Sequence, residues 1–199
     1  MGLGTRTDRL KPRKDHSLPR LFTIGHGTNT REEFVDLLRD TGIEALVDVR
    51  IAPGSRRSPQ FMREALESWL PPTGVRYRWD RRLGGFRSAS PTAPDTALRN
   101  ASFRGYAEYM RSAEFRDAIG ELRRQSFELT TTVMCSESVW WRCHRRLIAD
   151  HLALLYDDEI FHVMPDGRLK PHVPTSGGRI AGAELVYDVD EQIRTSERS

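Results

Sequence analysis

The two cysteines of the chain stand eight positions apart, in a segment from Cys135 to Arg145 that also holds Glu137, Arg142 and His144. Three chemistries are open to it. A thiol placed just after a strand and shortly before a helix can face the helix N-terminus, which favours the nucleophilic thiolate. Cys135, Cys143 and His144, joined by His26, can supply thiolate and imidazole ligands to a tetrahedral metal ion. Against a metal, seven residues separate the cysteines, wider than the usual zinc knuckle, and adjacent Cys143 and His144 would point about 100° apart if both were helical. Finally, Arg145 in the first turn of that helix can join Arg50 in clamping a phosphate or carboxylate, helped by backbone N–H groups. The plainer alternatives stay open: Cys135 as a small buried apolar residue, and the arginines neutralised by Asp48 or Glu137 in a structural ion-pair network.

Two further clusters carry polar chemistry. In Gly25-His26-Gly27 small neighbours let a ligand approach the backbone, which makes His26 the acid/base candidate and Gly25 a binding position. Asp48-Val49-Arg50 adds an anion-binding arginine and, in Asp48, a carboxylate able to orient His26. Ser55-Arg56-Arg57-Ser58 follows with more positive charge, though such a run is ordinarily a solvated face. Tyr77, Trp79, Phe86, Tyr106 and Tyr109 can stack on a base, but their spacing also suits a core. His151 lies on an apolar helical stripe and reads as a satisfied packing residue.

These clusters need elements to position them. Leu21-Phe22-Thr23-Ile24 is an apolar run stopped by Gly25, as a buried strand requires. Thr30-Arg31-Glu32-Glu33 matches a capping box, Phe34, Leu37 and Leu38 give the following helix one apolar stripe, and Gly42 suits its C-cap. Strands are expected at Ala45–Val49, Val75–Trp79, Thr131–Met134 and Ile160–Val163. Helices are expected from Ser58-Pro59 to Trp69, over about 103 to 111 and 113 to 124, and over 143 to 155. Strands alternating with helices imply an α/β three-layer sandwich around a mainly parallel sheet of about five strands. In such a sheet ligands gather outside the carboxyl ends of the strands, where these polar clusters fall.

Length bounds the organisation: 199 residues suit one domain with tails. Residues 1 to 20 hold six basic side chains against two acidic ones, a net +4, while the whole chain carries +3. The folded part is therefore nearly neutral, and the pI near 9.1 reflects a basic leader expected to be disordered rather than a basic binding face. From about 174 to 199 a polar tail is expected, with one apolar patch at Ala183 to Val189. The domain is thus expected over 21 to 173. No run approaches a membrane span and no apolar segment follows the basic leader, which points to a cytoplasmic protein with reduced thiols.

The Thr23-Ile24-Gly25-His26 opening, Asp48-Val49-Arg50, Leu83-Gly84-Gly85, Tyr106, and Met134-Cys135-Ser136-Glu137 followed by Cys143-His144-Arg145-Arg146 resemble the DUF488 family over about residues 21 to 172. That resemblance implies the fold and the place of the site; it carries no established activity. The Cys135 loop is also similar to the nucleophile loops of tyrosine phosphatases and rhodaneses. It departs from phosphatases in placing Arg142 after six residues instead of five, and in filling the loop with Val139, Trp140 and Trp141.

The leading expectation is an enzyme acting on a phosphate-bearing or nucleotide-like anion. Arg50 and Arg145 would hold the anion beside Gly25, His26 would act as acid/base, Asp48 or Glu137 would orient it, and Cys135 would serve as wall or nucleophile. A non-catalytic nucleic-acid-binding or accessory module is the competing expectation, and a metal-holding domain the third. The sequence leaves the cofactor and the oligomeric state open; the expected partner is an anionic small molecule or nucleotide, with nucleic acid in the competing case and no membrane.

Overall fold

A computed structural model describes residues 19–54 and 56–188. The basic leader, except its last two residues, lies outside these, as do residues 189–199. Strand β1 (Arg20–Gly25) opens the domain, so Arg20 belongs to the sheet, paired with Glu159 at 2.6 Å. Helix α1 (Arg31–Thr41) starts on the expected box: Thr30 Oγ1 accepts from Glu33 N and the Glu33 carboxylate accepts from Thr30 N. It ends at Gly42, left-handed at φ 71°. Strand β2 (Ala45–Asp48) follows.

The helix expected from Ser58 begins later. Pro59–Phe61 forms one 3-10 turn, Ser58 provides no side-chain cap, and Met62 is extended at ψ 151°, so α2 spans only Arg63–Trp69. The chain continues through β3 (Arg76–Trp79), α3 (Ala101–Tyr109), α4 (Ala113–Glu128), β4 (Thr131–Cys135), α5 (Arg145–Tyr156) and β5 (Glu159–Val163).

One sheet runs in the order β3-β2-β4-β1-β5-β6, its first five strands parallel. The sixth, β6 (Leu169–Pro171), is antiparallel to β5 across a turn with Gly167 at φ 79°. Period-2 alternation divides the strands between two cores. Phe22, Ile24, Leu46 and Met134 pack with Phe34 and Leu38 of α1 and with Phe61 and Leu66. Leu21, Val47, Val133 and Cys135 pack on the opposite face with α3, α4 and α5, through Tyr106, Phe115, Leu122 and Ile148. This is the expected three-layer α/β sandwich.

The expected polar tail from 174 is corrected by a second, two-stranded sheet, β7 (Gly178–Ala181) with β8 (Glu184–Tyr187). Leu185, Val186 and Tyr187 are buried, Leu185 and Tyr187 in the α3–α5 core. The apolar patch visible in the sequence is thus β8: burying it favours folding the segment onto the domain over leaving it in water. Among the described residues no helix is long and apolar enough to cross a membrane.

Candidate functional site

The site grows from the carboxyl ends of β1, β2 and β4. Their ladders continue past the strands: His26 N donates to Cys135 O, Gly27 N to Ser136 O and Val49 N to Met134 O, each at 3.0 Å. Three loops therefore leave the sheet together, at the point where the connections from β1 and β4 depart to opposite sides. They enclose a cleft of about 460 Å³ whose lining includes His26, Arg50, Gly85, Phe86, Phe103, Tyr106, Cys135, Glu137, Arg142, Cys143 and His144. Two roomier grooves, of about 670 and 600 Å³, have no cysteine, histidine or carboxylate in their walls.

At the cleft wall the two thiols meet one imidazole. Cys143 is extended (φ −122°, ψ 150°) and His144 is the N-cap of α5 (φ −58°, ψ −22°). They are not consecutive residues of one helix, and their side chains converge: Cys143 Sγ lies 3.6 Å from His144 Nδ1. The ligating atoms of Cys135, Cys143 and His144 all lie within 4.8 Å of one another. A hydrogen bond from the Cys143 thiol, with His144 and the Arg145 cation adding to it, holds the Cys135 thiol well below its ordinary range in spite of burial. Burial and the shared hydrogen bond push Cys143 up, so of the two thiols Cys135 is the one that gives up its proton more readily.

Arg145 stands behind this wall. It is 1% exposed, and its Nη1 and Nη2 donate to Glu137 O (2.6 Å) and Ser138 O (3.1 Å). Where an anion clamp was expected, both terminal nitrogens of Arg145 hold the backbone of the cysteine loop, and the nearby charge favours ionisation of Cys135. Gly25, expected at a ligand, serves the same loop: a Cβ there would fall 1.7 Å from Glu137 O. Glu137 itself is exposed in the cleft lining.

Asp48 is fully buried and grips Arg50. Oδ1 accepts from Arg50 N (3.1 Å) and Nε (2.8 Å), and Oδ2 accepts from Nη2 (2.6 Å) and Tyr77 OH (3.0 Å). Arg50 Nη2 also donates to Phe61 O, which leaves Nη1 for the cleft, 3.3 Å from His26 Nε2. His26 stacks on Phe61 with ring centroids 4.4 Å apart, and its Nδ1 lies 3.0 Å from Gly27 O. That network assigns the proton to Nδ1 and the lone pair at Nε2 to Arg50. Burial, then the Arg50 charge, lower the His26 pKa, so the ring is neutral. With both nitrogens engaged, His26 positions Arg50; it is neither a free base nor part of the thiol–imidazole cluster. Asp48 orients Arg50 rather than His26.

Of the residues singled out in the sequence, His26, Arg50, Cys135, Glu137, Cys143 and His144 line one cleft, while Gly25, Asp48 and Arg145 support it from behind. Arg142 and a buried polar chain had no such reading, and Phe86, read as a ring to stack on a base or fill a core, stands out by its exposure and backbone. Arg142 lines the cleft and its guanidinium makes no ion pair or hydrogen bond with a described residue. Phe86 is 93% exposed at the cleft with φ 57°, a strained backbone for a bulky residue. A buried chain links Thr23 Oγ1 to His162 (2.7 Å), His162 to His172 (2.9 Å), His172 to Asp150 (2.8 Å) and Asp150 to Tyr187 OH (2.8 Å). Trp140 of the cysteine loop stacks on His162 at 4.0 Å, tying that loop to β5 and to one member of this chain. The spacing of Cys135 and Arg142 was the available signal for the first; the polar chain had none, its members being scattered over five elements and loops. His151 is corrected: neither ring nitrogen has a partner.

Fold and site together define an α/β protein with a thiol–imidazole cleft at the carboxyl edge of its sheet. The chain belongs to the DUF488 family, described as a domain of unknown function, which matches residues 30–152 and so includes Asp48, Arg50, both cysteines and His144. No curated protein and no solved structure matches the chain.

Proposed function

We propose that the protein is an enzyme acting on a small phosphate-bearing substrate of the nucleotide class, bound in the cleft with its reacting group against Cys135, Cys143 and His144. The observation that carries this reading is Arg142: a cleft-lining guanidinium with no partner among the described residues, in the same cleft as the two thiols and the His144 imidazole. An arginine free to fork onto phosphate oxygens gives charge and geometry together. Arg50 adds only Nη1, and the Phe86 and Phe103 rings offer faces to a base.

Titration calorimetry with 5′-AMP and inorganic phosphate, with phosphate release from a phosphate ester as the turnover readout, tests it. Saturable binding at one site is expected. Arg142→Ala should weaken it about tenfold or more, since a hydrogen bond to a charged group is worth about 1.5–3 kcal/mol. Cys135→Ala should abolish turnover. Absence of turnover, with steeply salt-dependent binding of an oligonucleotide instead, would replace this reading with a nucleic-acid-binding accessory module.

A further inference from the structure

We propose that Cys135, Cys143 and His144 form a site for a borderline-soft divalent cation of the Zn²⁺ class, three protein ligands holding the ion and its fourth position opening into the cleft. The inference rests on the reading of that cleft as the reaction site, and it supplies the reacting centre. Distances come first. Zinc bonds of about 2.3 Å to sulfur and 2.0 Å to nitrogen place tetrahedral ligand atoms about 3.3–3.8 Å apart. The pair Cys143 Sγ and His144 Nδ1 is at 3.6 Å, and all three ligand atoms fall within 4.8 Å, so closing on an ion needs side-chain shifts of about an ångström.

Donor chemistry narrows the ion. Two sulfurs and an imidazole suit zinc and exclude magnesium and calcium, which take oxygen. The ligands also come from rigid places. Cys135 ends β4 in register with Gly25; Cys143 and His144 lead directly into α5; the His144 ring lies 5.0 Å from Tyr106, edge to face. Gly85 admits that ring, since a Cβ there would meet Nδ1 at 2.9 Å. Nδ1, which already faces Cys143 Sγ, is the nitrogen for the ion, and Nε2, buried without a hydrogen-bond partner, keeps the ring's proton. His26, with both nitrogens engaged by Gly27 and Arg50, is not a fourth ligand. Because all three ligands line the cleft, a water or a substrate oxygen completes the shell, the arrangement of catalytic rather than structural zinc.

The test uses the full chain, freed of metal with a chelator and titrated with Co²⁺ as spectroscopic stand-in and Zn²⁺ as competitor. The expected result is one equivalent of Co²⁺ with sulfur-to-cobalt charge-transfer absorption, bleached by Zn²⁺. Cys143→Ser and His144→Gln should each weaken binding about a hundredfold or more, given that outer-shell changes alone cost 10–100-fold. Arg142→Ala should leave it unchanged, and the far-ultraviolet dichroism of each metal-free variant should match wild type. Lack of the charge-transfer band in the wild type, or affinity indifferent to both ligand variants, overturns the site. If the metal fails while Arg142-dependent AMP binding and turnover persist, the metal assignment alone falls. If one equivalent of zinc binds but the zinc form neither binds nor turns over a phosphate compound, the enzyme reading falls and the cation is structural.

Discussion

Cys143 Sγ and His144 Nδ1 are 3.6 Å apart although they belong to consecutive residues. Two residues in one helix would project about 100° apart, and what brings these together is a change of backbone state between them, from extended Cys143 to helical His144. The start of α5 is therefore part of the site's chemistry. Moving it by a single residue would separate the pair.

The Asp48–Arg50 pair should be costly to break. Removing one partner of a buried, multiply bonded ion pair costs about 3–5 kcal/mol, because the other charge stays buried. Asp48→Ala should lower the melting temperature by on the order of 10 °C at this chain length. Tyr77→Phe, which deletes one hydrogen bond to the same carboxylate, should cost only about 1 kcal/mol. Thermal melts of the two variants compare them directly; equal losses would contradict the ranking.

Gly25→Ala should displace the cysteine loop. The new methyl meets the backbone oxygen of Glu137, and backbone held by Arg145 cannot step aside cheaply. Gly42→Ala, with nothing within 4 Å, should cost only about 1 kcal/mol for its left-handed φ. Amide exchange around residues 136–139 should accelerate in the first variant and stay unchanged in the second.

Acid should destabilise the protein through buried imidazoles. Burial lowers the pKa of His151 to about 4 and of His162 to about 3, from 6.5. The unfolded chain then binds more protons than the native one at intermediate pH, so stability is full above about pH 6.5 and falls as pH drops toward 4. At 1.36 kcal/mol per unit the full shifts correspond to about 3 kcal/mol for His151 and about 5 kcal/mol for His162. His151→Phe, which removes two unpartnered nitrogens beside Phe115, should raise stability at pH 7 and flatten this acid limb. Urea titrations at pH 7 and 5 measure both effects, and a wild type equally stable at the two values would count against them.

The fold was legible because its evidence is local. The Thr30–Glu33 box, Gly42 and the apolar runs of β1, β2 and β4 each announce themselves within a few residues. Met62 was not legible, since its extended backbone answers to packing around Phe61. In the site, the strand-end positions of His26, Arg50 and Cys135 followed from parallel-sheet logic. What spacing cannot reveal is which partner takes a charge: Arg145 spends its donors on two carbonyls and Arg50 on Asp48, while the Arg142 guanidinium pairs with no described residue. The β8 hairpin was hidden because its apolar patch is short and its polar anchor, Asp150 to Tyr187, spans two distant segments.

The most direct test of the account is a crystal structure of the protein grown with 5′-AMP. The account predicts density for the nucleotide in the cleft, its phosphate against Arg142 and Arg50 Nη1 and within reach of Cys135, Cys143 and His144. An empty cleft, or a nucleotide seated in either of the roomier grooves away from the thiols, would contradict it.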